Sequence, residues 1–264
     1  MPAIPAPPAR RTSLPDALRQ HLRSWWHMLH VGSVVLVLAL SPGSYTPAFR
    51  RRCAQHIYTS TWQVMPWFTA LSALLSLVLI RIVVVTALSY GLSQYALQMV
   101  VRVLVLELIP LSAALFVALR AGLAFNAGAL DLARQPPGNQ RTLDVTHLRH
   151  HATPQVLADA FAVLALATLS SMVVLVMTYL TVYGLSPWGL PGFTRTVGQV
   201  FDLPVSLGFA LKTLFFSLAV AVVPMAASLE ATQKRVSDTI QPGAVRLFLV
   251  LFLLEAASLV VNYV

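Results

Sequence analysis

Seven ionisable side chains sit in stretches that are otherwise apolar. Glu107, Arg102 and Arg81 lie well inside such stretches, Glu255 lies inside the last one, and Arg120, Lys212 and Arg246 lie nearer their ends. A charge at the centre of a bilayer costs on the order of 3 kcal/mol or more, so each group must be paired, neutralised or turned towards a wet cavity. Either the group lines a transport pathway, or it belongs to a structural ion pair or reaches along its own stem to the interface. Interfacial reach is the expectation for Arg120 and Arg246, and for Lys212 near the outer start of its span. Glu107 needs a cation. Arg102 is five residues away, a poor spacing for a pair on one helix, but Pro110 loosens the adjacent turn. Arg102 or Arg81 is therefore expected to compensate Glu107. No other chemistry stands out. A lone Cys53 excludes a disulfide framework and a cysteine-based metal site. The seven histidines are scattered without ligand spacing, so no metal, no cofactor and no catalytic residue is expected.

The elements that carry these charges follow from composition. Of 264 residues, 57% are hydrophobic and only 10% charged, and the mean hydropathy is +0.74. A soluble domain keeps about a quarter of its residues charged, so an ordinary soluble enzyme, a nucleic-acid binder and a disordered chain are all excluded. The net charge of +9 is then read as membrane-surface charge. The pattern predicts an all-α membrane protein. Residues 1–23 form a flexible, Pro-rich basic tail, and residues 24–61 an interfacial helix and a basic connector. Residues 62–264 form a membrane domain of five spans. The stretch 24–40 is short for a crossing and carries Trp25, Trp26, His27 and His30. It reads as a helix lying in the interface, with a sixth span as the alternative.

The five spans are expected over Trp62–Tyr90, Gln94–Phe125 (bent at Pro110), Pro154–Tyr183, Leu207–Leu229 and Val245–Tyr263. Residues 126–153 and 184–203 read as loops, and Glu230–Asp238 as a charged connection. The N-terminal 61 residues, the 126–153 loop and the 230–244 connection hold twelve of the eighteen positive charges, whereas the opposite side holds only Arg195. That bias places the N-terminus in the cytoplasm and, after an odd number of spans, the C-terminus outside.

The second span also carries a motif. Glu107-Leu108-Ile109-Pro110, followed by Ala118-Leu119-Arg120-Ala121-Gly122-Leu123-Ala124, resembles the R-E-L-G-P … A-G-R-x-G-x-A signature of the MlaE family. These are permease subunits of bacterial ABC transporters that move phospholipid or related lipids. Tyr90-Gly91-Leu92 is similar to the family's aromatic-Gly-Ala turn, and Phe49-Arg50-Arg51 to its basic segment. Thr153-Pro154-Gln155 is similar to its S-P-R, Lys212-Thr213-Leu214-Phe215-Phe216 to its K-S-x-x-F, and Glu255 lies close to an acidic position of its last span. The likeness covers about residues 25–264. Leu106 stands where the family has Arg, Ile109 where it has Gly, and Gly128 where it has Glu.

The resemblance implies an interfacial helix plus five spans, a second permease chain as homo- or heterodimer partner, a cytoplasmic ABC ATPase and a periplasmic MCE-domain protein, in a bacterial inner membrane. It implies a phospholipid site at the dimer interface lined by Leu79, Thr86, Tyr90, Leu106, Glu107 and Leu108. Arg102, one turn before Leu106, would supply the missing positive charge. It also implies coupling to the ATPase through Arg141, Leu143 and Asp144. The sequence has no G-x-x-x-x-G-K-[ST] loop, so ATP chemistry would come from the partner. Three other readings stay open: a degenerate permease-like scaffold, a secondary transporter moving protons through Glu107 and Glu255, and, least favoured, a membrane-embedded enzyme.

Overall fold

In a computed structural model of the chain, residues 47–133, 153–234 and 242–263 are described, together with residues 26, 30, 32–34 and 37. The expected basic tail and Arg141, Leu143 and Asp144, expected to couple to an ATPase, lie outside the described residues. Helix α1 (Pro47–Ile57) runs into a π-helical turn (Tyr58–Trp62) and then into α2 (Met65–Ser89). Helix α3 (Ser93–Met99), a nine-residue π-helical segment (Val100–Leu108) and α4 (Ile109–Ala133) form one continuous rod. Helix α5 (Thr153–Tyr183) follows, then a 3-10 turn (Pro187–Gly189), α6 (Leu190–Val200), α7 (Leu203–Lys234) and α8 (Pro242–Tyr263). No strand occurs among the described residues.

Five helices are long and apolar enough to cross a membrane: Phe49–Ser89, Tyr95–Leu123, Thr153–Tyr183, Leu203–Ala227 and Gly243–Val261. They alternate in direction. One end of the bundle, here called proximal, holds α1 and the starts of α2, α5 and α8; the distal end holds the α2–α3 turn and α6. The distal turn is closed by Gly91 at φ +71°. Leu92 N–H returns to Ala87 O at 2.8 Å and Gly91 N–H to Leu88 O at 3.1 Å, which satisfies two end carbonyls of α2 and needs a residue tolerant of left-handed backbone.

Residues 126–133 and 230–234, expected in connections, continue α4 and α7 as helix, and two further local findings differ from the sequence reading. Residues 184–203, expected as an open loop, contain the 3-10 turn and α6. The amphipathic helix α6 seats Phe193 and Val200 against Leu97, Val101 and Leu106, and Phe193 meets Tyr179 edge-on with ring centroids 5.2 Å apart. The second difference concerns Pro110. The disturbance lies on its N-terminal side, as the π-helical segment. There Ile109 N–H reaches back five residues to Leu104 O. The next donor in that register is Pro110, which has no N–H, and the Val105 carbonyl is met instead by the Ser171 hydroxyl of α5, at the long distance of 3.5 Å.

The core is a run of small and medium side chains. Phe68, Ala113, Ala114, Val117, Ala162, Leu166, Phe216, Val220 and Leu251 form its proximal half; Ile80, Val100, Leu104, Val105, Ile109 and Val174 form a second cluster. On α2, Phe68, Ser72, Ser76 and Ile80 recur every fourth residue and are all buried. Small residues at that spacing let two membrane helices approach closely, and packing rather than water exclusion holds them. The same logic applies where α8 meets α7. A Cβ built on Gly243 would stand 2.5 Å from the Ala227 Cβ. Gly32, one of six helical residues described in the N-terminal stretch, leaves equally little room against Val222 Cγ1 of α7, again 2.5 Å.

Gly243→Val should therefore wedge α8 off α7 and destabilise the protein by about 1–3 kcal/mol, the usual effect of overpacking. Ala227→Gly should recover part of the loss in the double variant, as read from the melting temperature in detergent.

Candidate functional site

The buried charges converge from three spans. Glu107 comes from the π-helical segment, Lys212 from α7 and Glu255 from α8. Lys212 is only 4% exposed and Glu107 8%. The Lys212 ammonium donates to Glu107 Oε2 and lies 2.7 Å from Glu255 Oε2. The Glu255 contact is an ion pair without the alignment of a hydrogen bond, and Oε2 is otherwise unpartnered. One turn along α7, the Phe216 ring centroid is 5.7 Å from the ammonium, within range of a cation–π contact.

This geometry corrects two expectations. Lys212 does not reach for the interface. It stands nine residues into α7, about 14 Å from the distal end of that helix, and its stem is packed. The cation that meets Glu107 is Lys212, and not Arg102 or Arg81, both of which are exposed. The reason is rotational. Glu107 is turned to Lys212 of α7, whereas Arg102 is turned to the surface. The triad pins the second, fourth and fifth spans together at mid-depth. Breaking such a buried pair by removing one partner is far more costly than replacing the whole set.

The seven residues expected at a lipid site separate into three groups. Thr86, Tyr90, Arg102 and Leu108 are on the surface, Tyr90 76% exposed and Leu108 41%. Leu79 is half-buried against the second core cluster. Leu106 and Glu107 are buried: Leu106 packs in the cluster that contains Phe193 and Val200 of α6, and Glu107 belongs to the triad. On the outer side, Tyr95, Met99, Val103 and Leu108 are exposed at near-helical spacing, and so are Ile82, Thr86 and Tyr90 of α2. The distal half of the first two spans thus presents an open, largely apolar face with Arg102 in it.

A second polar cluster lies at the proximal end, where sequence reasoning expected only interfacial reach from Arg120. In the π-helical turn, Gln63 N–H reaches back five residues to Tyr58 O. Val64 N–H turns instead to Thr61 O at 3.2 Å, so Thr59 O loses its donor in that register. Arg120 of α4 supplies one, with Nη2 2.6 Å from Thr59 O. The same guanidinium acts electrostatically on Asp159 of α5, which is buried and whose Oδ2 has no hydrogen bond among the described residues. Asp159 was missed in the sequence; its signal was an acid in the second turn of an apolar helix. Among the described residues no cluster of His, Cys, Asp and Glu could hold a metal.

The model of the family described as Permease MlaE matches residues 53–261, most of the chain. The chain belongs to the MlaE permease family. No curated protein matches the chain. As an MlaE permease it is a multi-pass membrane protein, the membrane subunit of a lipid transporter. The MlaE signature in the second span now has a structural meaning here: its Glu is the carboxylate held by Lys212, and its later Arg is the side chain that fastens the π-helical turn.

Lys212→Met should leave two carboxylates facing each other in the core and lower stability by about 3–5 kcal/mol. The uncharged set Lys212→Met, Glu107→Gln, Glu255→Gln should regain most of it; denaturant or thermal unfolding of the purified variants measures both. Arg120→Ala should destabilise, since it strands the Thr59 carbonyl and leaves Asp159 without its cation. Adding Asp159→Asn should restore part of the melting temperature.

Proposed function

We propose that this chain is the permease subunit of an ABC-type phospholipid transporter in a bacterial inner membrane, with its N-terminus in the cytoplasm and its C-terminus in the periplasm. The observation that carries the reading is the family match over residues 53–261. It is supported by the twelve positive charges of the N-terminal and 126–153 segments and the 230–244 connection, against Arg195 on the other side. The proximal end is then cytoplasmic. An ATPase docks there through the 126–153 loop, with Arg141, Leu143 and Asp144 in contact, and an MCE-domain protein sits over the distal end, above α6.

A second permease chain pairs across the open face of the first two spans. The lipid occupies the chamber between the two copies. Leu79, Thr86, Tyr90 and Leu108 provide the apolar and hydroxyl-bearing wall, Arg102 meets the phosphate, and Leu106 and Glu107 stand behind the wall. A lipid needs a largely apolar site with a few polar groups to fix its headgroup, and the exposed distal face has that composition. A second reading, a permease-like partner without transport of its own, is favoured by Gly128 in place of the family's Glu and by a 126–153 loop with Asp131 and Asp144 as its only acids.

Photocrosslinkers at Leu79, Tyr90 and Leu108 should capture phospholipid in the assembled transporter, while one at Leu253 on the outer face of α8 should give a weaker, non-saturating signal. Equal labelling at all four positions would remove the chamber. Copurification of an ATPase whose hydrolysis rises with added phospholipid supports transport; copurification without that response supports the scaffold.

A further inference from the structure

Helix α1 has two faces of opposite chemistry. Phe49 and Cys53 are buried and Ile57 is half-buried, and this face packs on α5. The other face is solvent-exposed. Along it Arg51, Gln55, Tyr58 and Trp62 recur at helical spacing, with Arg50 beside Arg51, and all five are exposed. Below Trp62 the exposed stripe continues down α2 as Trp67, Leu71, Leu74 and Val78.

Length places this stripe in the bilayer. The helical stretch Phe49–Ser89 has 41 residues, about 60 Å if fully extended as helix, against a hydrocarbon thickness of about 30 Å. The 25 residues of α2 already cross it. Helix α1 therefore lies at headgroup depth. Tyr58, Trp62 and Trp67 mark the boundary where aromatic rings concentrate, and the apolar track begins below them. The seven residues from Arg51 to Tyr58 cover about 10 Å of helix and the eleven to Trp62 about 16 Å, within the depth of one leaflet.

We propose that this stripe is a binding site for an anionic phospholipid such as phosphatidylglycerol, with its phosphate held by Arg50 and Arg51 and its acyl chains lying along Tyr58 and Trp62. A guanidinium fork matches two phosphate oxygens. The continuous apolar track below the arginines favours a lipid over an acidic protein segment, which would leave that track uncovered. The site lies at the opposite end of the bundle from Thr86, Tyr90, Arg102 and Leu108. Its bound lipid is a resident of the surrounding leaflet and not cargo, so the permease reading stands or falls independently.

The test uses the full chain in nanodiscs of equal phosphatidylglycerol and phosphatidylcholine, with Gln55→benzoylphenylalanine as photocrosslinker and mass spectrometry to count adducts. Each arginine near a membrane surface contributes about a fivefold preference for anionic lipid, so phosphatidylglycerol adducts should exceed phosphatidylcholine adducts by up to about 25-fold. Arg50→Gln with Arg51→Gln should bring the ratio to near one, and Arg50→Lys with Arg51→Lys should keep most of it, which separates lost charge from lost folding. A ratio near one in the unmutated chain, or one unchanged by the glutamine pair, overturns the site. So does competition by millimolar inorganic phosphate, which would mean a free-anion site, or loss of a copurifying ATPase in the glutamine pair with the lipid ratio intact, which would mean a protein-docking face.

Discussion

A lysine at the middle of a membrane has no water to share its charge with, and in this protein the whole distal half is organised around that constraint. Lys212 is satisfied only because Glu107 and Glu255 arrive from two other spans. The contact is worth little as net stabilisation, since desolvation of three charges offsets most of their attraction. Its effect is on specificity. Any rotation of α7, or any slip of α8 along it, would strand a charge in hydrocarbon, so the three helices have one acceptable register. The close approach of Gly243 to Ala227 holds the same pair of helices at their other end.

The same accounting governs the backbone. Lipid offers no hydrogen bonds, so every carbonyl freed by irregular helix must find a donor inside the protein. Two π-helical segments free one carbonyl each, and each is met from another span: Thr59 O by Arg120 and Val105 O by Ser171. Irregular backbone thus becomes a set of ties between helices. The first fastens the headgroup-level helix α1 to the second span; the second fastens the segment bearing Glu107 to α5. Both ties therefore act on the second span, one through Arg120 of α4 and one at the segment that bears Glu107.

The surfaces left over divide the work. The exposed residues in the distal half of the first two spans are largely apolar, with Arg81 and Arg102 among them. The proximal stripe is graded from charge to aliphatic, suited to the leaflet itself. Helix α6 covers Leu106 and so accounts for its burial.

Composition alone determined that the chain lives in a membrane, because too few charges exist to cover a soluble surface. Run length determined the five spans, since an apolar segment either reaches across hydrocarbon or does not. The motif Glu107–Pro110 and its companions pointed to the MlaE family, which the match over residues 53–261 established. What the sequence left open was rotation. Spans such as α2, α5 and α8 are apolar on every side, so periodicity does not say which face looks inwards. Glu107 and Lys212 are 105 positions apart, and only the packing of α7 against the second span selected that partner over the nearer Arg102. Helix α6 was hidden for a related reason: its proline and two glycines read as loop, and only Phe193 and Val200 finding a hydrophobic seat made it a helix.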